Sequence, residues 1–215
     1  MKNLDPIALT GVLALLSLIP IIVTTMTSFL KISIVLSIVR NALGVQQIPP
    51  NMAIYGLALM LTAYVMAPVG NEMANAVSVD DMNNDVRALI TQGRRAAEPL
   101  RRFLVANSKP EQREFFLSTA QRMWPAKAAA GAKEDDFYIV TPAFLVSEMT
   151  SAFEIGFLLF LPFIVIDLVV SNILMAMGMM MVSPVTISLP LKLFLFVMID
   201  GWSRLLHGLV QTYIQ

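Results

Sequence analysis

Four runs of apolar residues constrain this chain more than any motif does. Ile7 to Leu30 is almost uninterrupted and is closed by Lys31. Met52 to Val69 follows the turn "GVQQIPPN", and Ile155 to Val182 and Leu191 to Ile214 repeat the arrangement around the break "SPVTISLP". About 20 consecutive apolar residues cross the hydrocarbon core of a bilayer as a helix, so each run reads as a membrane helix. Both breaks are short and carry Gly or Pro, which joins neighbours as antiparallel hairpins. Of the 30 Asp, Glu, Lys and Arg residues, 20 lie between Gly70 and Asp136. The fold class expected is therefore all-α: an N-terminal apolar hairpin (1–69), a polar helical insert (70–136) and a C-terminal apolar hairpin with a Met-rich turn (137–215).

Composition narrows the function classes. The chain is 57% hydrophobic and only 14% charged, well below the roughly 25% charge of a soluble domain. Zero formal net charge leaves no electrostatic footprint for nucleic acid. With no cysteine and a single histidine, His207, neither a disulfide framework nor a metal site is encoded, and no Gly-rich phosphate loop suggests a nucleotide or other cofactor. The first run reads as a retained helix rather than a signal peptide, because Asp5 weakens the basic start and "TTMTSFLKIS" offers no small-x-small cleavage site. Lys31 and Arg40 flank the first turn, which the positive-inside rule places in the cytoplasm, with the insert on the other side.

Within the insert, "SKPEQREFFLSTAQRMWP" predicts a helix with Ser108 as N-cap, Glu111 as its capping-box partner and Pro110 in the first turn. Phe115, Phe116, Thr119, Ala120, Met123 and Trp124 form one apolar face that needs a partner. "AAAGAKEDD", from Ala128 to Asp136, reads as a loop into the next helix.

Ionisable groups in apolar segments cost about 2.5–3.5 kcal/mol each at a helix centre, so each is a candidate for function. Here they are Lys31, Glu148, Glu154, Asp167, Lys192, Asp200 and Arg204. Structural pairing is the favoured reading, since the signs nearly balance; Asp200 and Arg204 at i,i+4 can pair on one helix face. The alternative is a small proton-coupled transporter or ion channel using Glu148, Glu154 and Asp167. An intramembrane aspartyl protease would need Asp167 to face Asp200, and "VIDLV" and "MIDGW" lack the Gly-flanked context for it. Ser28 or Ser33 beside Lys31 is a weak basis for a hydrolase. The fold is read as non-enzymatic.

Packing signals are clearer. Ala143, Ser147 and Ser151 form a small-residue stripe, and Ala152 with Gly156 makes a small-xxx-small pair that admits close helix approach. In "MAMGMMMVSP", five of the first seven residues are methionine. Gly178 before Met179, Met180 and Met181, and Pro184 after them, let the backbone leave helical geometry.

"SFLKISIVLSIVRNALGVQQIPPNMAIYGLAL" and "LLFLPFIVIDLVVSNILMAMGMMMVSPVTISLPLKLFLFVMIDGW" closely resemble the SctR/FliP family, the R subunit of the type III secretion export apparatus. The missing cleavable signal favours the injectisome branch. The resemblance implies a non-enzymatic, virulence-associated membrane subunit of the bacterial inner membrane, five copies of which assemble with S- and T-type subunits and the U-type switch protein. That complex projects toward the periplasm and exports unfolded polypeptides. It further implies that Met179, Met180 and Met181 form a methionine ring closing the pore, and that Glu148 and Lys192 pair between subunits. Methionine suits a ring of that kind, being apolar enough to exclude water and flexible enough to deform around varied chains.

Overall fold

The computed structural model describes Leu13 and residues 17–45, 48–76 and 86–214, with the backbone alone for 86–90. The start of the first apolar run, with Asp5 and Ile7, and the pair Gln46 and Gln47 in the first turn lie outside the described residues. The protein is all-α, with no strand among the described residues. The helices are α1 (Ile19–Met26), α2 (Phe29–Ala42), α3 (Asn51–Asn75), α4 (Val86–Ala106), α5 (Pro110–Met123), α6 (Ala126–Ala129), α7 (Phe137–Ala176), α8 (Pro184–Met198) and α9 (Gly201–Gln211).

The four apolar runs do not all fold as single straight helices. Among the described residues two helices are long and apolar enough to cross a membrane, α3 with 25 residues and α7 with 40, and up to four runs qualify if each bent pair is one span. The other two runs are bent pairs: α1 and α2 meet at 72°, and α8 and α9 at 62°. The cause of the first bend lies in its hydroxyls. Thr24 Oγ1 bonds back to Pro20 O at 2.9 Å and Thr25 Oγ1 to Ile21 O at 2.7 Å, while Thr27 Oγ1 bonds to Val23 O at 2.5 Å and accepts from Phe29 N at 3.3 Å. Such back-bonding competes with the helical ladder and bends it. At the second bend Asp200 takes a left-handed conformation, φ 52°, which Asp tolerates better than most residues. Its carboxylate accepts a bond from Ser203 Oγ at 3.0 Å. Gly201 follows because a Cβ there would lie 2.4 Å from the Phe196 ring.

α7 also begins earlier than the apolar run suggests, at Phe137, and continues through Glu148 and Glu154. Asp136 accepts from Ile139 N and Val140 N through its backbone carbonyl, while its carboxylate takes Lys133 N at 2.8 Å. The preceding stretch is a short helix and hydrogen-bonded turns rather than a featureless loop.

The chain divides into two compact units, one of residues 1–30 and 66–147, the other of 31–65 and 148–215. In the first unit Leu104, Val140 and Phe144 are fully buried, with Met26, Leu100, Phe103 and Phe137 packed on them. The rings of Phe103 and Phe144 are 5.8 Å apart and tilted. The N-cap of α5 is Lys109, not Ser108, and no side chain closes a capping box there. Ser108 serves Arg113 instead, its carbonyl accepting from Nη1 at 2.6 Å, and Lys109 N donates to Ser147 Oγ at 2.8 Å. The apolar face of α5 is only partly covered: Ala120 is buried, but Phe115 and Met123 are exposed.

In the second unit, α2 turns Ile32, Val35, Leu36 and Val39 inward at helical spacing, and Ile54, Ala58, Phe163, Phe196 and Leu209 complete a buried apolar set. Gly156 of α7 lies so near α2 that an added Cβ would sit 2.4 Å from Ile38 Cδ1. The small-residue pair Ala152 and Gly156 therefore marks a close helix crossing, as its spacing predicts.

Candidate functional site: two ionic ties and a methionine loop

Three features of the second unit gather the chemistry of the apolar parts. The first is a cluster around Glu148 on α7. Its Oε1 accepts from Lys31 Nζ of α2 at 2.9 Å, with the two side chains 6% and 2% exposed. Its other oxygen accepts from the hydroxyl of Tyr213, just beyond α9. The Lys31 ammonium also stands 3.8 Å from the centre of the Tyr213 ring, a cation–π contact that strengthens as water is excluded. The phenol thus serves both charges, donating from its oxygen and facing the cation with its ring. Three segments distant in sequence are tied at one buried point.

The second feature joins α7, α8 and α2. Asp167 Oδ2 accepts from Lys192 Nζ at 2.6 Å and Oδ1 from Ser188 Oγ at 2.6 Å. Ser188 and Lys192 are one helical turn apart, so both reach the same carboxylate. Lys192 Nζ also donates to Ala42 O at 3.2 Å. That carbonyl belongs to the last turn of α2, where a cation complements the helix dipole. Lys192 is 5% exposed at its side chain and Asp167 38%.

These partnerships change the sequence reading of the charges. The resemblance implies that Glu148 and Lys192 pair between subunits; within the protomer Glu148 holds Lys31 and Lys192 holds Asp167. Tyr213 and Ser188 were not singled out from the sequence at all. Asp200 and Arg204 do not form the expected side-chain pair: Asp200 holds Ser203 Oγ, and its link to Arg204 is a backbone bond, Arg204 N to Asp200 O at 3.1 Å. Asp167 is engaged by Lys192 and Ser188, while Asp200 sits at the α8–α9 bend with Ser203, so the two aspartates form no dyad. Glu154 and His207 are exposed. No group of three or more His, Cys, Asp or Glu able to hold a metal occurs among the described residues.

The third feature is the loop between α7 and α8. Gly178, at φ 75°, ends α7, and the bonds Gly178 N to Met175 O and Met179 N to Leu174 O are the pair that defines a Schellman cap. Beyond the cap the chain is free of helix: Met179 is 40% exposed, Met180 86% and Met181 100%. Pro184 then occupies the first turn of α8, where its missing N–H costs nothing. Glycine and proline fulfil here the roles their positions predict.

Residues 12–209 of the chain match the FliP family. The chain belongs to the FliP family. It is 54% identical over 214 residues to Yop proteins translocation protein R of Yersinia pestis, covering 97% of each chain. It is 47% identical over 218 residues to harpin secretion protein HrcR of Erwinia amylovora, covering 99% of each, and 45% identical over 215 residues to virulence protein YscR of Salmonella typhimurium, covering 97% of each. These are relatives along whole chains, so both apolar parts and the insert share in the likeness. FliP-family proteins of this kind are components of the type III secretion apparatus and not enzymes, and the apolar helices mark this one as a membrane protein.

Proposed function

We propose that this chain is a core subunit of the export gate of a type III secretion system, in which several copies, with S-, T- and U-type partners, surround the path of unfolded polypeptides. The methionine loop carries the reading. It presents three consecutive unbranched apolar side chains, and Met180 and Met181 lie almost wholly outside the protomer's packing. Apolar side chains displayed in this way have a use only if something else covers them. A ring of such loops excludes ions when closed and conforms to a passing chain when open.

The exposed apolar side chains of α7, among them Phe153, Phe157, Leu158, Val165 and Leu168, support burial against further subunits or lipid. Five copies, a place in the inner membrane and projection toward the periplasm follow from the family resemblance. Pairing of Glu148 with Lys192 between protomers would require both to leave Lys31 and Asp167 on assembly. Charge reversal at Lys192 that is rescued by reversal at Glu148, read by co-purification of the complex, supports that exchange; no rescue removes it.

The gate is tested by replacing Met179, Met180 and Met181 together with alanine and measuring ion conductance and small-molecule leakage in cells expressing the assembled apparatus. Raised leakage with the complex intact is expected. Unchanged permeability with assembly verified would return these methionines to ordinary packing.

A further inference from the structure

The crook of the α8–α9 bend holds an apolar cavity of about 240 Å³. Its walls include Val39 of α2, Leu159 and Phe163 of α7, Leu195 and Phe196 of α8, and Leu205 of α9. Arg204 is its one charged lining residue. An apolar cavity of about 150 Å³ already stays dry and takes up a small hydrocarbon, so this larger one suits an alkyl segment rather than water.

Arg204 lines this cavity and is itself exposed, which sets a cationic side chain at its edge. Asp200, one turn away, is bonded to Ser203, and no carboxylate pairs with Arg204 among the described residues. α9 is amphipathic: Gly201, Leu205 and Leu209 are buried, while Arg204, His207 and Gln211 are exposed. That division, with Trp202 beside it, is the pattern of a helix lying at the boundary between headgroups and acyl chains. A 62° break is also tolerated better there than in the hydrocarbon core, where its freed backbone groups would lack partners.

We infer that this crook is a binding site for a glycerophospholipid, with one acyl chain in the cavity and the phosphodiester on Arg204. A chain leaving bulk bilayer gains little from the hydrophobic effect. Retention therefore rests on filling a void whose lining otherwise lacks contacts and on the charge-assisted bonds of the guanidinium.

The test uses the full chain, alone and in its assembled complex, in vesicles of phosphatidylethanolamine and phosphatidylglycerol containing a trace of phosphatidylcholine with a diazirine in its acyl chain. After photolysis, labelled residues are mapped by mass spectrometry. Label concentrated on Leu159, Phe163 and Leu195 over the equally apolar exposed face at Phe157 and Val165 is expected. Arg204→Gln should lower the cavity label about 10-fold, the equivalent of one charge-assisted hydrogen bond, and leave the face label unchanged. Arg204→Lys should restore part of it, and Leu159→Trp, which fills the space, should abolish it. Helix content by circular dichroism confirms that each variant is folded. Uniform label indifferent to Arg204 would overturn the proposal. So would cavity label present in the isolated chain but absent from the complex, which would make the crook a subunit contact.

Discussion

The polar insert and the apolar parts use charge in opposite ways. Between Gly70 and Asp136 the chain spends 20 of its 30 charges, yet the pairs they form are open to water. Arg102 and Glu72 meet with side chains 63% and 56% exposed. Arg101, 28% exposed, bridges Glu98 and Asp135 at 43% and 45%. The apolar parts hold few charges, and Lys31 with Glu148 is nearly sealed. Exposed pairs contribute about 0–1 kcal/mol, whereas removing one member of a sealed pair costs about 3–5 kcal/mol, because the charge left behind has no water to turn to. The number of charges in a region says little about how much its fold depends on them.

The contrast breaks first at Lys31. Lys31→Met should destabilise the protein by about 3–5 kcal/mol, seen as a large fall in thermal midpoint in detergent. Lys31→Met combined with Glu148→Leu should recover much of that loss, since both desolvated charges are then gone; a double variant no better than the single would show that the site works by packing alone. Next comes Lys192→Met, which strands a half-open Asp167 and the Ala42 carbonyl and should cost about 1–3 kcal/mol. A smaller effect is expected from acid. The Arg101 guanidinium, hydrogen-bonded to Glu98, holds that carboxyl below its usual range. Its stabilising contribution is therefore complete above the unfolded carboxyl's titration near 4.5 and is lost as pH falls through the lower folded value. Water screens the pair, so the loss between pH 5 and pH 3 should stay under about 1 kcal/mol and vanish in Glu98→Gln. Smallest is Arg102→Ala, expected to shift the midpoint within about 0.5 kcal/mol.

Much of this architecture was legible in the sequence, and the failures have identifiable causes. Hydropathy located the apolar segments and the Met-rich break, because burial in protein or lipid demands the same residues. It missed the α1–α2 bend, which contains no Gly or Pro at the break. The signal was present in Thr24, Thr25, Thr27 and Ser28, hydroxyl residues crowded at a helix's end. The second bend was announced by Asp200-Gly201, a turn dipeptide inside an apolar run. The start of α7 was displaced because Glu148 and Glu154 interrupt the hydropathy without interrupting the helix. The ionic partnerships were beyond reach by spacing: Glu148 lies 117 residues from Lys31 and 65 from Tyr213, and no local pattern records which helices become neighbours. The Ser188–Lys192 pair at i,i+4 hinted only that two polar groups share a face.

The cap at Gly178 divides the methionine stretch into positions with different mutational meaning. A substitution at Gly178 forces an L-residue into a left-handed conformation, at about 1 kcal/mol or more, so its phenotype mixes folding with whatever the loop does. Met180 and Met181 contribute almost nothing to the packing of their own protomer. Side chains there can be exchanged across the full range of size and polarity while the subunit still folds. A saturation library at those two codons thus reads whatever the loop does, free of a stability background.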